Sequence, residues 1–347
     1  MRYCDEYWLD ASLATSRVPG LETLNGKSIL ITGATGMICS CVAELLLYRN
    51  RFCSAGIRII LAGRSKERTE RRFSGFEEGK DYQFLPYDAT SMEPLSFCAD
   101  FVIHGASNAS PGGYVRQPVE TMLANVLGLN VLLNQAVKAG TKRVLYISSS
   151  EVYGQKEREG AFRESDYGYV DLLNPRACYP SAKRAAETLC VSYGAEYSMD
   201  TVIVRPGHIY GPTITSSDDR ASAQFTRNAV NGQNIIMKSA GTQLRSYCYT
   251  MDCASAILAV LIKGENGNAY NISNRASVVS IRDIAEALAR QAGTQVVFEI
   301  PSDVEKKGYN LMDNSSLDSG KLESLGWSPC FNLEEGVKRT IEYLRNA

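Results

Sequence analysis

The sequence predicts an α/β fold, a doubly wound parallel sheet with a smaller mixed α/β lobe toward the C-terminus. Three observations predict it. Short apolar runs alternate with stretches of helical spacing between residues 26 and 206, which is the rhythm of a parallel sheet covered by helices on both faces. Four of those runs end in small or polar clusters, "GATG", "GRSK", "GASNAS" and "SSSEVYG", at the carboxyl ends of strands, where open α/β sheets bind ligands. After Pro206 the rhythm breaks into polar loops, short strands and isolated helices.

In order along the chain, residues 1–25 lack strong periodicity and read as an arm. "KSILITG" is a short apolar run stopped by Gly33, read as the first strand, and "MICSCVAELLLYR" follows with helical spacing. "IRIILAGR", "YQFLPYD" and "DFVIHGAS" read as strands two to four. Residues 117–139 read as a long helix and "KRVLYISSS" as strand five. A helix over 180–197 leads to strand six, "DTVIVRP". "GPTITSSDDRAS" is a polar loop, with residues 216–220 read as mobile and their charges as solvated. "SYCYTMDCASAILAVLIKG" reads as a strand and helix returning to the main sheet. "AYNIS", "SIRDIAEALARQAG", "QVVFEIP" and "LEEGVKRTIEYLRN" supply a strand, a helix, a strand and a final helix. The expected organisation is an arm (1–25), a Rossmann-like domain (26–206 plus about 244–262) and a second lobe (207–243 plus 263–347).

Composition narrows the function classes. The 347 residues carry 37 Lys+Arg against 38 Asp+Glu, a formal charge of -1, so no general affinity for nucleic acid or an anionic membrane is expected. No run is long and apolar enough to cross a bilayer and the first residues lack a signal-peptide core, so a cytoplasmic location is expected. Ten cysteines without a C-x-x-C pair read as reduced thiols, and only two histidines, His104 and His208, leave no expected metal site.

"TGATGMIC" lies between the first strand and the first helix. Gly33 and Gly36 permit a tight turn and close backbone approach to a pyrophosphate, and the helix start offers free N–H groups. The usual third glycine is Cys39, at a position that serves helix–strand packing. The expected ligand is therefore a dinucleotide, NAD or NADP. Strand two ends in "AGRSK", where Arg64, Ser65 and Lys66 offer donors and no carboxylate for a ribose 2′-hydroxyl, which tilts the choice toward NADP. Asp88, ending strand three, suits the adenine amino group.

"YPSAK" places Tyr179 and Lys183 four residues apart, on one face if helical. An ammonium beside a phenol lowers the phenol's pKa and makes it a base near neutrality. Ser149, at the end of strand five, is placed to bond the same substrate oxygen. Glu151, two residues on, is either a solvated loop charge or a reacting group.

These motifs, with "NVLGLNVLLNQA", "YPSAKRAAE", "VRPGHIYGP", "GTQLRSYCYTMD" and "LGWSP…LEEGVKRTI", resemble the extended short-chain dehydrogenase/reductases that modify nucleotide sugars, from about Lys27 to the C-terminus. The resemblance implies a catalytic triad of Ser149, Tyr179 and Lys183, with Glu151 as a reaction-specific group. It implies cofactor contacts at Gly33, Thr35, Gly36, Met37, Ile38, Arg64, Asp88, Ala89, Ala106, Tyr179 and Lys183, and a family preference for NAD. Substrate contacts are implied at Ser107, Ser150, His208 and Arg245, with Asn125 organising the site. The partner is a nucleotide-diphosphate sugar bound by the C-terminal lobe, and two long helices make a homodimer interface. Two positions depart from the pattern: His208 stands where the family often has Asn, and Cys39 replaces the third glycine.

Members of this family share oxidation of the sugar at C4. A 4-epimerase needs no acid at position 151. A 4,6-dehydratase resembling this chain carries an Asp–Glu pair where Ser150 and Glu151 stand. UDP-glucuronate decarboxylases carry a Ser–Glu pair there, and "RACY" and "GASNASP" resemble them further, although Pro180–Ser181 does not. Decarboxylation therefore ranks first, with 4,6-dehydration and 4-epimerisation as alternatives. An NADPH-dependent 4-ketoreductase and a non-catalytic dinucleotide sensor rank behind them.

Overall fold

The structure, a computed structural model, describes residues 3–109, 111–156, 160–300 and 312–346. Ser28–Thr32 form β1, buried along its whole length, as a central strand with helices on both faces must be. β2 (Arg58–Gly63) and β3 (Gln83–Pro86) add to one side of it, and β4 (Phe101–His104), β5 (Arg143–Ile147) and β6 (Thr201–Pro206) to the other. A seventh strand, β10 (Ala269–Ile272), completes the order β10-β6-β5-β4-β1-β2-β3, every pair parallel. The order reverses between β1 and β4, and beyond the carboxyl ends of strands at such a reversal open α/β sheets bind their ligands in a crevice.

Two apolar cores flank the sheet. One lies against α2 (Met37–Cys53) and α8 (Thr250–Lys263), the other against α5 (Pro118–Lys138) and α6 (Cys178–Tyr197). Helix α8 is buried from Thr250 to Leu261. It is enclosed on all sides, and its buried Asp252 and Ser255 are bonded: Asp252 accepts from the amides of Cys330 and Phe331, and Ser255 from Trp327.

The strand before α8 departs from expectation. β9 (Leu244–Tyr249) joins a separate four-stranded sheet with β7 (His208–Tyr210), β11 (Val278–Ser280) and β13 (Asn314–Ser315). The strand that returns to the main sheet is β10, in register with β6 from Ala269 to Ile272. Both segments are short and apolar, and periodicity does not distinguish which sheet a buried strand joins. β8 (Ile235–Met237) and β12 (Val296–Phe298) form a third, two-stranded sheet; the end of the expected strand over 295–301 lies outside the described residues.

The segment read as an arm folds as α1 (Asp5–Ser16), packed on α2 and α8. Tyr7, Ala11 and Ala14 are fully buried, at helical spacing. Leu9 and Leu13 on the same helix are exposed while Asp10 is buried, bonded by Arg339 and Tyr343 of the C-terminal helix Leu333–Arg345. This inversion of polarity hides the helix from a hydrophobicity pattern. A second buried carboxylate, Glu44 on α2, accepts from Tyr3 and Tyr7 and pairs with Arg72 of α3 (Lys66–Arg72).

Candidate active site

The glycine turn stands at the switch point. Gly33 has φ +67°, and a Cβ there would lie 2.8 Å from the Gly105 carbonyl oxygen and 2.9 Å from the Ala106 nitrogen. No side chain but glycine's fits this combination of a left-handed backbone and close approach. Thr32, ending β1, accepts from the amides of Gly105 and Ala106 through its hydroxyl, and that hydroxyl also bonds His104 Nδ1 at 2.8 Å. Gly36 caps α2 in extended conformation with no side chain on the first amides. Gly33, Thr35, Gly36 and Ile38 are half-buried and Met37 is buried. A backbone cradle with uncapped amides at the start of a 17-residue helix fits a dinucleotide's pyrophosphate.

Cys39 is accommodated by a partner that the sequence does not reveal. A Cβ at Gly105 would stand 2.3 Å from Cys39 Sγ. The Cys39 side chain fills the space that Gly105, just past the neighbouring strand, leaves open. Cys39 is buried, and its thiol is pushed up to about 12 by burial, so it is an inert packing group.

At the adenosine end Arg64 is exposed, and Asp88 and Ala89 are half-buried. Asp88 accepts from the amide and hydroxyl of Thr90, and these bonds hold its carboxyl below the usual range, with Arg64 contributing.

Tyr179 and Lys183 share the buried face of α6, as their spacing predicts. The electrostatics differ from the expectation of a depressed phenol. Lys183 Nζ donates to the Ile147 carbonyl at 2.8 Å, sits 4.7 Å from the Tyr146 ring centroid and is 5.7 Å from that of Tyr179. Burial pushes its amine down to about 7. Burial pushes the Tyr179 phenol up, and the nearby Glu151 carboxylate adds to this. The Ser149 hydroxyl, Arg220 and Arg176 oppose that shift. Removal from water outweighs the ammonium, which is spent on a backbone carbonyl.

Glu151 is half-buried and not free. It lies on a 3-10 turn, Ser150–Tyr153, capped by Ser149, whose Oγ accepts from the Glu151 amide. Both carboxylate oxygens are engaged by Arg176, at 2.9 and 3.0 Å. Tyr114, from α4 (Pro111–Arg116), donates to the same carboxylate at 3.4 Å. The Arg176 guanidinium lies 4.4 Å over the Tyr114 ring, and that ring stacks on Tyr179 at 5.0 Å and 21°. Arg176, Glu151, Tyr114 and Tyr179 are thus one assembly, fixed from three chain segments. Ser150 is buried beside it.

The second lobe contributes its own cations. Arg245, on β9, is 2% exposed and donates to the Leu244 carbonyl. Burial holds its guanidinium down, and no ion pair to it exists among the described residues. His208, on β7, faces Tyr247 with ring centroids 5.7 Å apart. Burial, with Arg245 and Arg220 nearby, pushes its imidazole down to about 3, so it is neutral, and Nδ1 has no hydrogen-bond partner among the described residues. An unpaired arginine and an unpaired imidazole nitrogen at one place are what a polar, anionic ligand would complete.

Residues 216–220 are not a solvated loop. Asp218 is buried and pairs with Arg220, the cap residue of α7 (Ala221–Val230). Asp219 accepts from the Gly112 amide at 2.7 Å, and Thr213 donates to the Met37 carbonyl at 2.9 Å. The segment ties the second lobe to the glycine turn and to α4.

Two expected substrate contacts behave differently. Ser107 is half-buried and donates to Asn125 Oδ1 at 3.0 Å. Asn125 itself is fully buried, with Oδ1 also accepting from Tyr146 and Nδ2 donating to Thr121. It lies behind the crevice wall and orients Ser107. Sequence reasoning missed Tyr114, Arg176, Arg220 and Gly105. Arg176 lay inside the noted "RACY", but its partner is 25 residues away. Tyr114 and Arg220 carry no motif.

Residues 29–273 match the family model "NAD dependent epimerase/dehydratase family". UDP-glucuronic acid decarboxylase 1 of Xenopus tropicalis is 28% identical over 337 residues, covering 95% of this chain and 76% of that protein. UDP-glucuronic acid decarboxylase 6 of Arabidopsis thaliana is 28% identical over 320 residues, covering 91% of this chain and 88% of that protein. Among solved structures, the dTDP-glucose 4,6-dehydratase DesIV of Streptomyces venezuelae, with NAD bound, superposes with a TM-score of 0.78 at 24% identity, covering 92% of this chain and 97% of that one. UDP-glucose 4-epimerase of Thermotoga maritima, with UDP-glucose, gives a TM-score of 0.77 at 24% identity, covering 92% and 99%. At these identities the structures establish the shared fold.

Proposed function

The chain belongs to the NAD dependent epimerase/dehydratase family, and from that premise we propose that it modifies a nucleotide sugar through a 4-keto intermediate, with UDP-glucuronate decarboxylation as its reaction. The carrying observation is the Glu151–Arg176 pair beside Tyr179, with a serine and not a second acid at position 150.

Gly33, Thr35, Gly36, Met37 and Ile38 would hold the cofactor's pyrophosphate, Asp88, Ala89 and Ala106 its adenosine side, and Tyr179 and Lys183 its reacting end. A bound nicotinamide dinucleotide supplies hydride acceptance and return at the sugar's C4. Tyr179 takes the 4-hydroxyl proton, Ser149 bonds the same oxygen, and Arg176 and Arg220 favour the phenolate against burial. Arg245 and His208 bind the substrate's anionic and polar groups.

The resulting 4-ketone makes a uronic acid a β-keto acid. Its carboxylate leaves as carbon dioxide, the electron pair passing to the ketone oxygen, and C5 then takes a proton. No acid is needed at C6. Dehydration needs one for the departing hydroxyl. Ser150 is not acidic, and both oxygens of Glu151 are engaged by the Arg176 guanidinium. Simple epimerisation uses neither member of this pair.

The exposed Val119, Met122 and Leu123 of α5 and Val191 and Tyr197 of α6, two helices packed together, would form the interface of a homodimer. No helix among the described residues is long and apolar enough to cross a membrane.

The test is incubation of the purified protein with UDP-glucuronate, dTDP-glucose and UDP-glucose, each product weighed by mass spectrometry. Loss of carbon dioxide from UDP-glucuronate is expected. Loss of water from dTDP-glucose, or an isomer of unchanged mass, would move the assignment to dehydration or epimerisation.

A further inference from the structure

One buried titratable side chain at the switch point takes no part in the sugar chemistry. His104 ends β4 and is fully buried. The Tyr146 ring stacks on it at 5.9 Å and 20°, and the Tyr87 ring meets it edge-on at 6.1 Å and 76°. Its Nδ1 lies 2.8 Å from the hydroxyl of Thr32, its register partner on β1, and its Nε2 has no hydrogen-bond partner among the described residues. Burial, with Lys183 nearby, pushes the imidazole down to about 3, so the ring is neutral and carries one proton.

The Thr32 hydroxyl decides where that proton sits. A hydroxyl has one proton to give and two lone pairs to accept with. Both lone pairs are taken by the amides of Gly105 and Ala106, each at 3.2 Å. A third donor has no place there, so the hydroxyl donates to His104, Nδ1 accepts, and Nε2 holds the ring's proton. A ring protonated at Nδ1 would displace one of the two amides. The Gly105 amide also reaches the Thr32 carbonyl at 3.3 Å, so the Ala106 amide depends more on the hydroxyl. The loop held in this way is the wall behind the glycine turn: a Cβ on Gly33 would meet the Gly105 carbonyl oxygen and the Ala106 nitrogen. Ser107, next along, has its own tether to Asn125, so the sugar end of the loop does not hang on Thr32.

We propose that His104 is a positioning residue: as a neutral acceptor it fixes the Thr32 hydroxyl with both lone pairs toward residues 105 and 106, and so seats the glycine turn for the dinucleotide. The proposal rests on the reading of residues 33–38 as a dinucleotide turn.

The experiment pairs a readout that needs no ligand with one that does. Nitrogen-15 NMR of the full-length protein reports which ring nitrogen carries the proton. The chain has two histidines, and the signals lost in His104→Phe are those of His104. A bare Nδ1 and a protonated Nε2 are expected, and a proton on Nδ1 overturns the proposal. Titration calorimetry with NAD+ and NADP+ follows. Thr32→Val and His104→Phe should each weaken the tighter nucleotide by about tenfold, while Thr32→Ser, which keeps the hydroxyl, stays within about twofold of wild type. The double variant Thr32→Val/His104→Phe should lose no more than about tenfold, because both changes remove one bond. The rate of sugar oxidation at saturating dinucleotide should stay within about threefold of wild type. Additive losses in the double variant, or a lowered melting temperature with unchanged affinity, overturn the proposal. Should His104→Phe fail to fold, Thr32→Val against Thr32→Ser and the wild-type spectrum still decide. Wild type that binds neither nucleotide overturns the dinucleotide reading and the proposal with it, an outcome set apart because the unaltered protein itself is silent.

Discussion

The two ends of the crevice are built from different materials. The glycine turn is a backbone device: its shape comes from Gly33 and Gly36, from the Thr32 hydroxyl on two amides, and from absent side chains at Gly33 and Gly105. The reacting end is a side-chain device, in which Tyr179 is set by Tyr114, Glu151 and Arg176, contributed by a helix, a 3-10 turn and the approach to α6. A backbone device tolerates almost no added atoms. A side-chain device tolerates added atoms and fails when a charge is left without its partner.

The largest expected effect tests the first half of that contrast. Gly33→Ala forces a side chain into a left-handed backbone and onto the β4 loop. Dinucleotide affinity should fall by about 100-fold or more, in line with a combined strain and overlap of roughly 3 kcal/mol. Calorimetry measures it, and unchanged affinity would show that the turn does not contact the ligand.

Arg176→Gln tests the second half. It leaves Glu151 as an unpaired carboxylate beside the tyrosine, and the rate of sugar oxidation should fall by about 10- to 100-fold, the equivalent of roughly 1.5–3 kcal/mol for bonds to a charged group. Dinucleotide affinity should not change. Parallel losses in rate and affinity would mean that the two ends are one device.

A smaller effect is expected from Gly105→Ala. The new Cβ would overlap Cys39 Sγ, and thermal stability should drop by about 1–3 kcal/mol. Adding Cys39→Gly should restore most of it, since residues in contact couple. Simple additivity of the two changes would refute the compensation.

A further effect is a pH dependence. In the folded protein Lys183 is pushed down to about 7, below its ordinary value of 10.5. The unfolded chain then binds more protons between these values, so Lys183 costs most stability below pH 7 and the cost fades as pH rises toward about 10.5. Lys183→Met should therefore raise the melting temperature, relative to wild type, more at pH 6 than at pH 10. A difference that is constant with pH would place Lys183 in an unperturbed environment.

The same contrast explains how much was legible in the sequence. The turn, the six leading strands and the Tyr179–Lys183 face follow from glycine positions and periodicity, which are local signals. The Glu151–Arg176 pair is not local, because nothing in "SSSEVYG" names a guanidinium 25 residues on. The direction of the Tyr179 shift is hidden for a related reason: spacing gives proximity to Lys183, but burial raises the phenol and the Ile147 carbonyl takes the Lys183 bond. Helix α1 escaped notice because its buried face includes Asp10, whose partners Arg339 and Tyr343 lie at the other end of the chain.

The central claim is that Tyr179 opens a sugar oxidation which ends in loss of a carboxylate. Release of labelled carbon dioxide from carboxyl-labelled UDP-glucuronate tests it most directly, in wild type and Tyr179→Phe with dinucleotide binding measured in both. The account predicts release by wild type over many turnovers and none by Tyr179→Phe, with dinucleotide affinity retained. UDP-glucuronate that binds wild type without releasing carbon dioxide, or a Tyr179→Phe protein that remains fully active, would contradict it.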